Sequence, residues 1–276
     1  MSRLSGVFQA LRADNRCALI PYVVAGDPSV SGTVSLLHQL VEAGADILEI
    51  GVPFSDPMAE GPIIQKSHER ALSNGMSLRG VLTIVSAFRQ DNQKTPVVLM
   101  GYANPVERFG YGTFATACSR AGVDGLITVD LPPEEVESIQ YALKSAGVDN
   151  IFLISPTTPN ARVKTITDRA SGFIYCIAIK GVTGSSDLDT SSVAKRLSLI
   201  RKNSNLPIAV GFGIKDPNSA KIIADVADAV VVGSALIDAM DNIQGAKIGS
   251  DTDKIKHAAA TSLLKDIRQG VDSFPS

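Results

Sequence analysis

Tryptophan is absent from the 276 residues, and cysteine and histidine occur only three times each. Cys17, Cys118 and Cys176 are odd in number and far apart, a pattern that suits neither a disulfide framework nor a zinc site. His38, His68 and His257 fall in segments of helical period with no His-x-His or His-Glu-x-x-His run, so a metal cluster finds no ligand spacing. No apolar run approaches the ~20 residues that span a bilayer, and the opening dozen residues read as an amphipathic helix without a signal-peptide core. Neither sign of charge dominates: 26 Lys and Arg stand against 28 Asp and Glu, for a net charge of −2, and the cations are scattered singly. A phosphate backbone therefore meets no basic stripe. Neither nucleic acid nor a membrane is an expected partner, and a reducing cytoplasm is the expected compartment.

What is present is a large apolar fraction, 45% of residues, with 20% charged, enough for a sizeable core. Short β-branched runs at 18–25, 46–52, 96–102, 125–131, 150–155, 173–179, 207–212 and 229–233 read as strands. Segments of helical period follow near 30–43, 62–90, 110–121, 133–146, 161–170, 191–203, 216–226 and 254–269, with the second broken at Asn74-Gly75 and an extra helix at 2–13 in front. About eight such βα units in a chain of 276 residues, where a (β/α) barrel typically takes roughly 250, predict a single-domain α/β fold, a (β/α)8 TIM barrel spanning 1–276, over an open doubly wound sheet. A weak repeat agrees. Ala43-Gly44-Ala45-Asp46, Ala121-Gly122-Val123-Asp124 and Ala146-Gly147-Val148-Asp149 each set a glycine between helix and strand, where positive φ is easily reached.

In such a barrel the chemistry belongs to the C-terminal ends of the strands. Glu49 stands out there, an acid between Leu48 and Ile50 that loses water on burial, which raises its pKa toward the range of acid–base work. The bland alternative is a Glu held by a buried Arg or by backbone amides. Gly184, Gly213, Gly233 and Ser234 follow the last three strands, where backbone N–H groups and a helix N-terminus can surround a phosphate; singly, each glycine is a turn residue. Lys180 and Lys215, the rim candidates for a Schiff base, lie at loop starts where a solvated Lys is the plainer reading. Carboxylate acid–base chemistry on a small phosphate ester is what remains.

The run Leu48-Glu49-Ile50-Gly51-Val52-Pro53-Phe54-Ser55-Asp56-Pro57, with Gly61-Pro62 and Gln65, resembles the signature of the tryptophan synthase alpha chain family. Gly101-Tyr102-Ala103-Asn104-Pro105, Asp130-Leu131-Pro132, Gly181-Val182-Thr183-Gly184, Gly211-Phe212-Gly213-Ile214 and Val232-Gly233-Ser234 extend the similarity over nearly the whole length. The resemblance implies a lyase that cleaves indole-3-glycerol phosphate to indole and glyceraldehyde 3-phosphate, without metal or Schiff base. It also implies no cofactor in this chain and a pyridoxal-phosphate beta chain as partner in an α2β2 complex. Glu49 would carry the proton transfers. Glu60 would be the second carboxylate, at a position where the family has Asp, and its extra methylene puts the geometry in question. A second departure is Ala178-Ile179-Lys180, where many members have Ser-Arg.

Tyr22, Met100, Tyr102, Val129, Leu153, Tyr175 and Phe212 become the expected walls of an indole pocket, although each alone reads as core. The loop 181–192, rich in Gly, Ser, Thr and Asp, is expected to close over substrate with Thr183 near Glu49; a plain solvated loop is the alternative. Pro53, Asp56, Asn104 and Pro132 are candidate contacts for the beta chain. A sugar-phosphate isomerase, a non-catalytic barrel that only activates a beta chain, and a stand-alone lyase releasing free indole are the competing readings.

Overall fold

The structure is a computed structural model that describes residues 2–178, 190–211, 213–243 and 250–273. Its strands are β1 Ala18–Val24, β2 Leu48–Gly51, β3 Val97–Gly101, β4 Gly125–Thr128, β5 Asp149–Ile154, β6 Ile174–Ile177, β7 Ile208–Gly211 and β8 Ala229–Val232. They pair in sequence order, all parallel, and β8 returns to β1 to close the barrel. The helices are α1 Arg3–Ala13, α2 Thr33–Glu42, α3 Pro62–Ser73, α4 Leu78–Asp91, α5 Ala103–Phe109, α6 Tyr111–Ala121, α7 Glu137–Ala146, α8 Asn160–Arg169, α9 Thr190–Arg201, α10 Pro217–Ala224, α11 Ser234–Asp241 and α12 Ser250–Asp272.

The two-residue pleat divides each strand between two cores. Ile20, Ile47, Val98, Ile127, Ile151, Ala209 and Val231 share the barrel interior, while Leu19, Leu48, Leu99, Leu126, Val210 and Val230 join the larger cluster under the helices. Helix α1 adds Leu4, Phe8 and Leu11 to the interior cluster, and Phe8 meets Phe173, just ahead of β6, with ring centroids 5.8 Å apart. The extra N-terminal helix is thus the plug of the barrel's lower end. Ser2 starts it by accepting the Ser5 N–H.

The glycine repeats behave as expected: Gly44, Gly122 and Gly147 all have positive φ. The aspartates beside them do more than terminate a turn. Asp46 and Asp124 accept the N–H groups of Leu19 and Val97 on the neighbouring strands at 2.8 Å each, and Asp228 does the same for Ile208 at 2.9 Å. Arg268 and Arg89 then meet Asp46 and Asp124 at 2.9 and 2.7 Å. This charged lower girdle stands at the opposite end from Glu49.

Some boundaries differ from expectation, for physical reasons. The expected strands 125–131 and 173–179 stop at Thr128 and Ile177, since an apolar run reports burial and continues past the last ladder bond. The segment after Gly101, expected as loop, is helix α5, whose first N–H, that of Ala103, donates to Asp130 Oδ1 at 2.7 Å. Its Pro105 sits in the first turn, where a missing N–H costs nothing. Gly233-Ser234 opens helix α11, so two helices follow β8 rather than one. The break at Asn74-Gly75 is real: Gly75 has φ +80° and Ser77 caps α4 through the Gly80 N–H.

Candidate active site

Glu49 occupies the inward face of β2, level with Tyr22 on β1 and Val98 on β3. It is 1% exposed, and among the described residues neither carboxylate oxygen has a hydrogen-bond partner. The alternative of a Glu held by a buried Arg or by amides therefore fails. Burial, and then the charge of Glu60, push its pKa up to about 8. A buried polar group without a partner is costly, and here it borders a cavity of about 280 Å³ at the C-terminal end of the barrel.

Glu60 lines the same cavity from the loop between β2 and α3. The Tyr102 hydroxyl donates to its carboxylate and accepts the Ala59 N–H at 3.2 Å, while Phe54 stacks on the Tyr102 ring at 5.0 Å. Burial lifts the Glu60 pKa to about 7, against the lowering effect of its own and the Ala59 N–H groups, with Asp130 raising it further. Burial thus raises two carboxyl groups toward neutrality in one apolar chamber. Each can hold or release a proton at physiological pH.

Gly213, Gly233 and Ser234 border the cavity together. Gly213 takes φ +77°, a conformation suited to glycine. Helix α11 begins at Ser234 with no side-chain cap among the described residues, which leaves the N–H groups of its first two residues to an anion. The chamber is therefore apolar in the middle, acidic on the side of β2 and donor-rich beyond β7 and β8. A ligand with an aromatic body and a phosphate tail matches that order.

A family profile described as tryptophan synthase alpha chain matches residues 8–267. The chain belongs to the tryptophan synthase alpha chain family. It is 50% identical over 273 residues to the tryptophan synthase alpha chain of Thiobacillus denitrificans, covering 99% of this chain and 97% of that one. It is 53% identical to that of Thioalkalivibrio sulfidiphilus, again over 273 residues, covering 99% and 100%. Among solved structures, tryptophan synthase subunit alpha from Legionella pneumophila superposes with a TM-score of 0.89 at 40% identity, covering 99% of this chain and all of that one. A chain of the aminoacrylate-bound tryptophan synthase from M. tuberculosis gives 0.85 at 34% identity, with 98% of this chain covered and 100% of that chain.

Of the walls expected for a tryptophan synthase alpha chain, Tyr22, Met100, Val129, Leu153 and Tyr175 line the cavity. Tyr102 does not; it stands behind Glu60 as its hydrogen-bond partner. Thr183, Gly184, Phe212 and all but the last three residues of the expected closing loop 181–192 lie outside the described residues, as does Lys180. Lys215 is exposed, in keeping with its solvated reading. On the rim, Asp56 and Asn104 are exposed, Pro132 is half-buried and Pro53 is buried. Ile63, Ile64, Ile177, Ile214 and Val231 also line the cavity and escaped the sequence reading. Ile177 and Val231 lie two residues beyond Tyr175 and Ala229, so strict pleat counting finds them. His68, unassigned in the sequence, lies directly behind Tyr22.

Proposed function

We propose that this chain is the alpha subunit of a tryptophan synthase and cleaves indole-3-glycerol phosphate to indole and glyceraldehyde 3-phosphate. The observation that carries the reading is Glu49, a fully buried carboxyl group with both oxygens unpaired among the described residues, facing a cavity at the active end of the barrel. Cleavage moves one proton in balance: indole C3 gains a proton, the bond from C3 to the side-chain carbon breaks, and the hydroxyl on that carbon loses its proton as the aldehyde forms. A group poised near neutral pKa serves both transfers. Glu60, held by Tyr102, supplies negative charge where the indole nitrogen becomes positive, an effect that a dry site strengthens. Met100, Val129, Leu153 and Tyr175 pack the ring, and the N–H groups of Gly213, Gly233 and Ser234 receive the phosphate. The presence of Glu60 in the chamber favours a catalytic barrel over one that only activates a partner.

The second half of the reading is a pyridoxal-phosphate beta chain that receives indole in an α2β2 complex. Asp56 and Asn104, exposed on the active rim, are the proposed contacts, together with Pro132 and the adjoining Pro53. The test is indole release from indole-3-glycerol phosphate, assayed with and without a beta chain. Release that rises when the beta chain is added supports the whole reading. No release in either condition removes the lyase function, and equal release in both removes the partnership.

A further inference from the structure

Helix α3 is fastened to two neighbours. The Ser67 hydroxyl and the Arg70 guanidinium both donate to Asp27 in the loop after β1, Arg70 at 2.8 and 2.7 Å. Another Arg70 nitrogen meets Asp241 on α11 at 2.8 Å. Asn74 donates to the carbonyls of Gly26 and Pro28 at 2.9 and 3.0 Å. Between these fixed points sits His68, 1% exposed. Its Nδ1 lies 3.1 Å from the Phe54 backbone nitrogen, and its Nε2 lies 3.2 Å from the Tyr22 hydroxyl.

The tautomer follows from the partners. A backbone N–H can only donate, so Nδ1 accepts, and a neutral imidazole then carries its single proton on Nε2 and donates it to Tyr22. Burial holds the His68 pKa down to about 4 against the opposing charge of Asp27, so the ring is neutral at physiological pH. Resting on the lyase reading above, we infer that His68 is a positioning residue for the Glu49 site: it locks the Tyr22 ring beside Glu49 and pins the start of the loop that carries Glu60.

The geometry of Tyr22 shows what the lock controls. Its Cδ1 and Cβ lie 3.2 and 3.3 Å from where a Cβ on Gly233 would stand, and its hydroxyl fills the space a Cβ on Gly51 would need. The ring thus crosses from β8 to β2 on the inner face, past Glu49, its register partner. Two glycines make room for it, and one hydrogen bond ends it. Among the described residues, the titratable groups that face Glu49 are Tyr22 from β1, Tyr175 from β6 and Glu60 from its loop. Those that face His68 are Tyr22 and Asp27, whose charge is taken by Arg70. Glu49 is dry because a ring stands over it, and that ring is held from behind.

Three substitutions separate the two bonds. His68→Asn keeps an acceptor oxygen near the Nδ1 position and loses the donor to Tyr22. His68→Gln places an amide nitrogen near Nε2 and keeps that donor. Tyr22→Phe keeps the ring and removes the acceptor. The readout is a carboxyl-carbon NMR titration of Glu49 in the intact, ligand-free chain, with the resonance assigned by its loss in Glu49→Gln. It needs no substrate and is independent of whether the chain releases indole. Water reaching Glu49 lowers its midpoint by about one pH unit in both His68→Asn and Tyr22→Phe, since each removes the same bond. The double variant goes no further, and His68→Gln stays near the parent value. Where indole is released, kcat in the first two variants falls about tenfold with KM changed far less, as expected for lost positioning. An unmoved midpoint in folded Tyr22→Phe, the milder variant, overturns the inference, as does a His68→Gln variant that shifts as far as His68→Asn.

Discussion

At the scale of single residues, the two buried carboxyl groups make different predictions. Glu49→Gln preserves shape and removes the transferable proton. General acid–base groups contribute about 10²- to 10⁴-fold, and a residue serving two transfers belongs at the top of that range. Indole release by Glu49→Gln at more than a tenth of the parent rate would remove Glu49 from the mechanism. In the proposed reaction Glu60 acts through charge and its carboxylate is held by the Tyr102 hydroxyl, so Glu60→Ala is expected to lose about 10²-fold, typical for one transition-state electrostatic contact. Glu60→Asp introduces the residue that the family resemblance leads one to expect there but shortens the reach to Tyr102. Its loss should fall between parent and Glu60→Ala in the same assay, and an Asp variant as poor as the Ala variant would show that the loop is built for the longer chain.

At the scale of elements, the barrel separates stability from chemistry by end. Helix α1 closes the lower end with Phe8 against Phe173, far from Glu49 at the other. Phe8→Ala should lower unfolding free energy by about 3 kcal/mol, as for other buried aromatic truncations, while KM for indole-3-glycerol phosphate stays unchanged in the folded protein. Gly213→Asp should do the reverse. It places a carboxylate beside the proposed anion site and weakens glycerol 3-phosphate binding, measured by calorimetry, with the larger part of the effect on affinity rather than on folding. Similar affinity in parent and variant would move the phosphate elsewhere. The reason for the asymmetry is that strand starts are tied by Asp46, Asp124 and Asp228 to neighbouring amides and arginines, whereas strand ends carry unpaired polar groups.

At the scale of the whole molecule, the two carboxyl groups whose pKa burial raises make stability depend on pH. Glu49 is raised from 4.5 to about 8 and Glu60 from 4.5 to about 7. Below the unfolded value both states hold the proton, so nothing is lost. Between 4.5 and about 8 the unfolded chain releases protons that the folded chain keeps, so stability falls as pH rises and the loss is complete above the folded values. Glu49→Gln has no such carboxyl. It should melt higher than the parent at about pH 9, by an amount on the order of a few kcal/mol in unfolding free energy, and show a much smaller advantage at about pH 5. Equal differences at the two pH values would mean that Glu49 is not desolvated in the folded chain.

The alternation of strand and helix, the lower-face glycine turns, the barrel and the position of Glu49 were legible in the chain itself, because pleat, helical period and positive-φ glycines are local patterns within a few residues. The family resemblance, carried by the run from Leu48 to Gln65 and the rim motifs, was legible for the same reason. Only the tertiary structure decided that Glu49 has no Arg or amide to neutralise it among the described residues, that Tyr102 serves Glu60 rather than lining the pocket, and that His68 holds Tyr22 across 46 positions of sequence. Charge, burial and hydrogen bonding at a site are sums over groups from distant elements. Their values exist only once closure of the barrel has brought β1, β2, α3 and the loops between them to one rim.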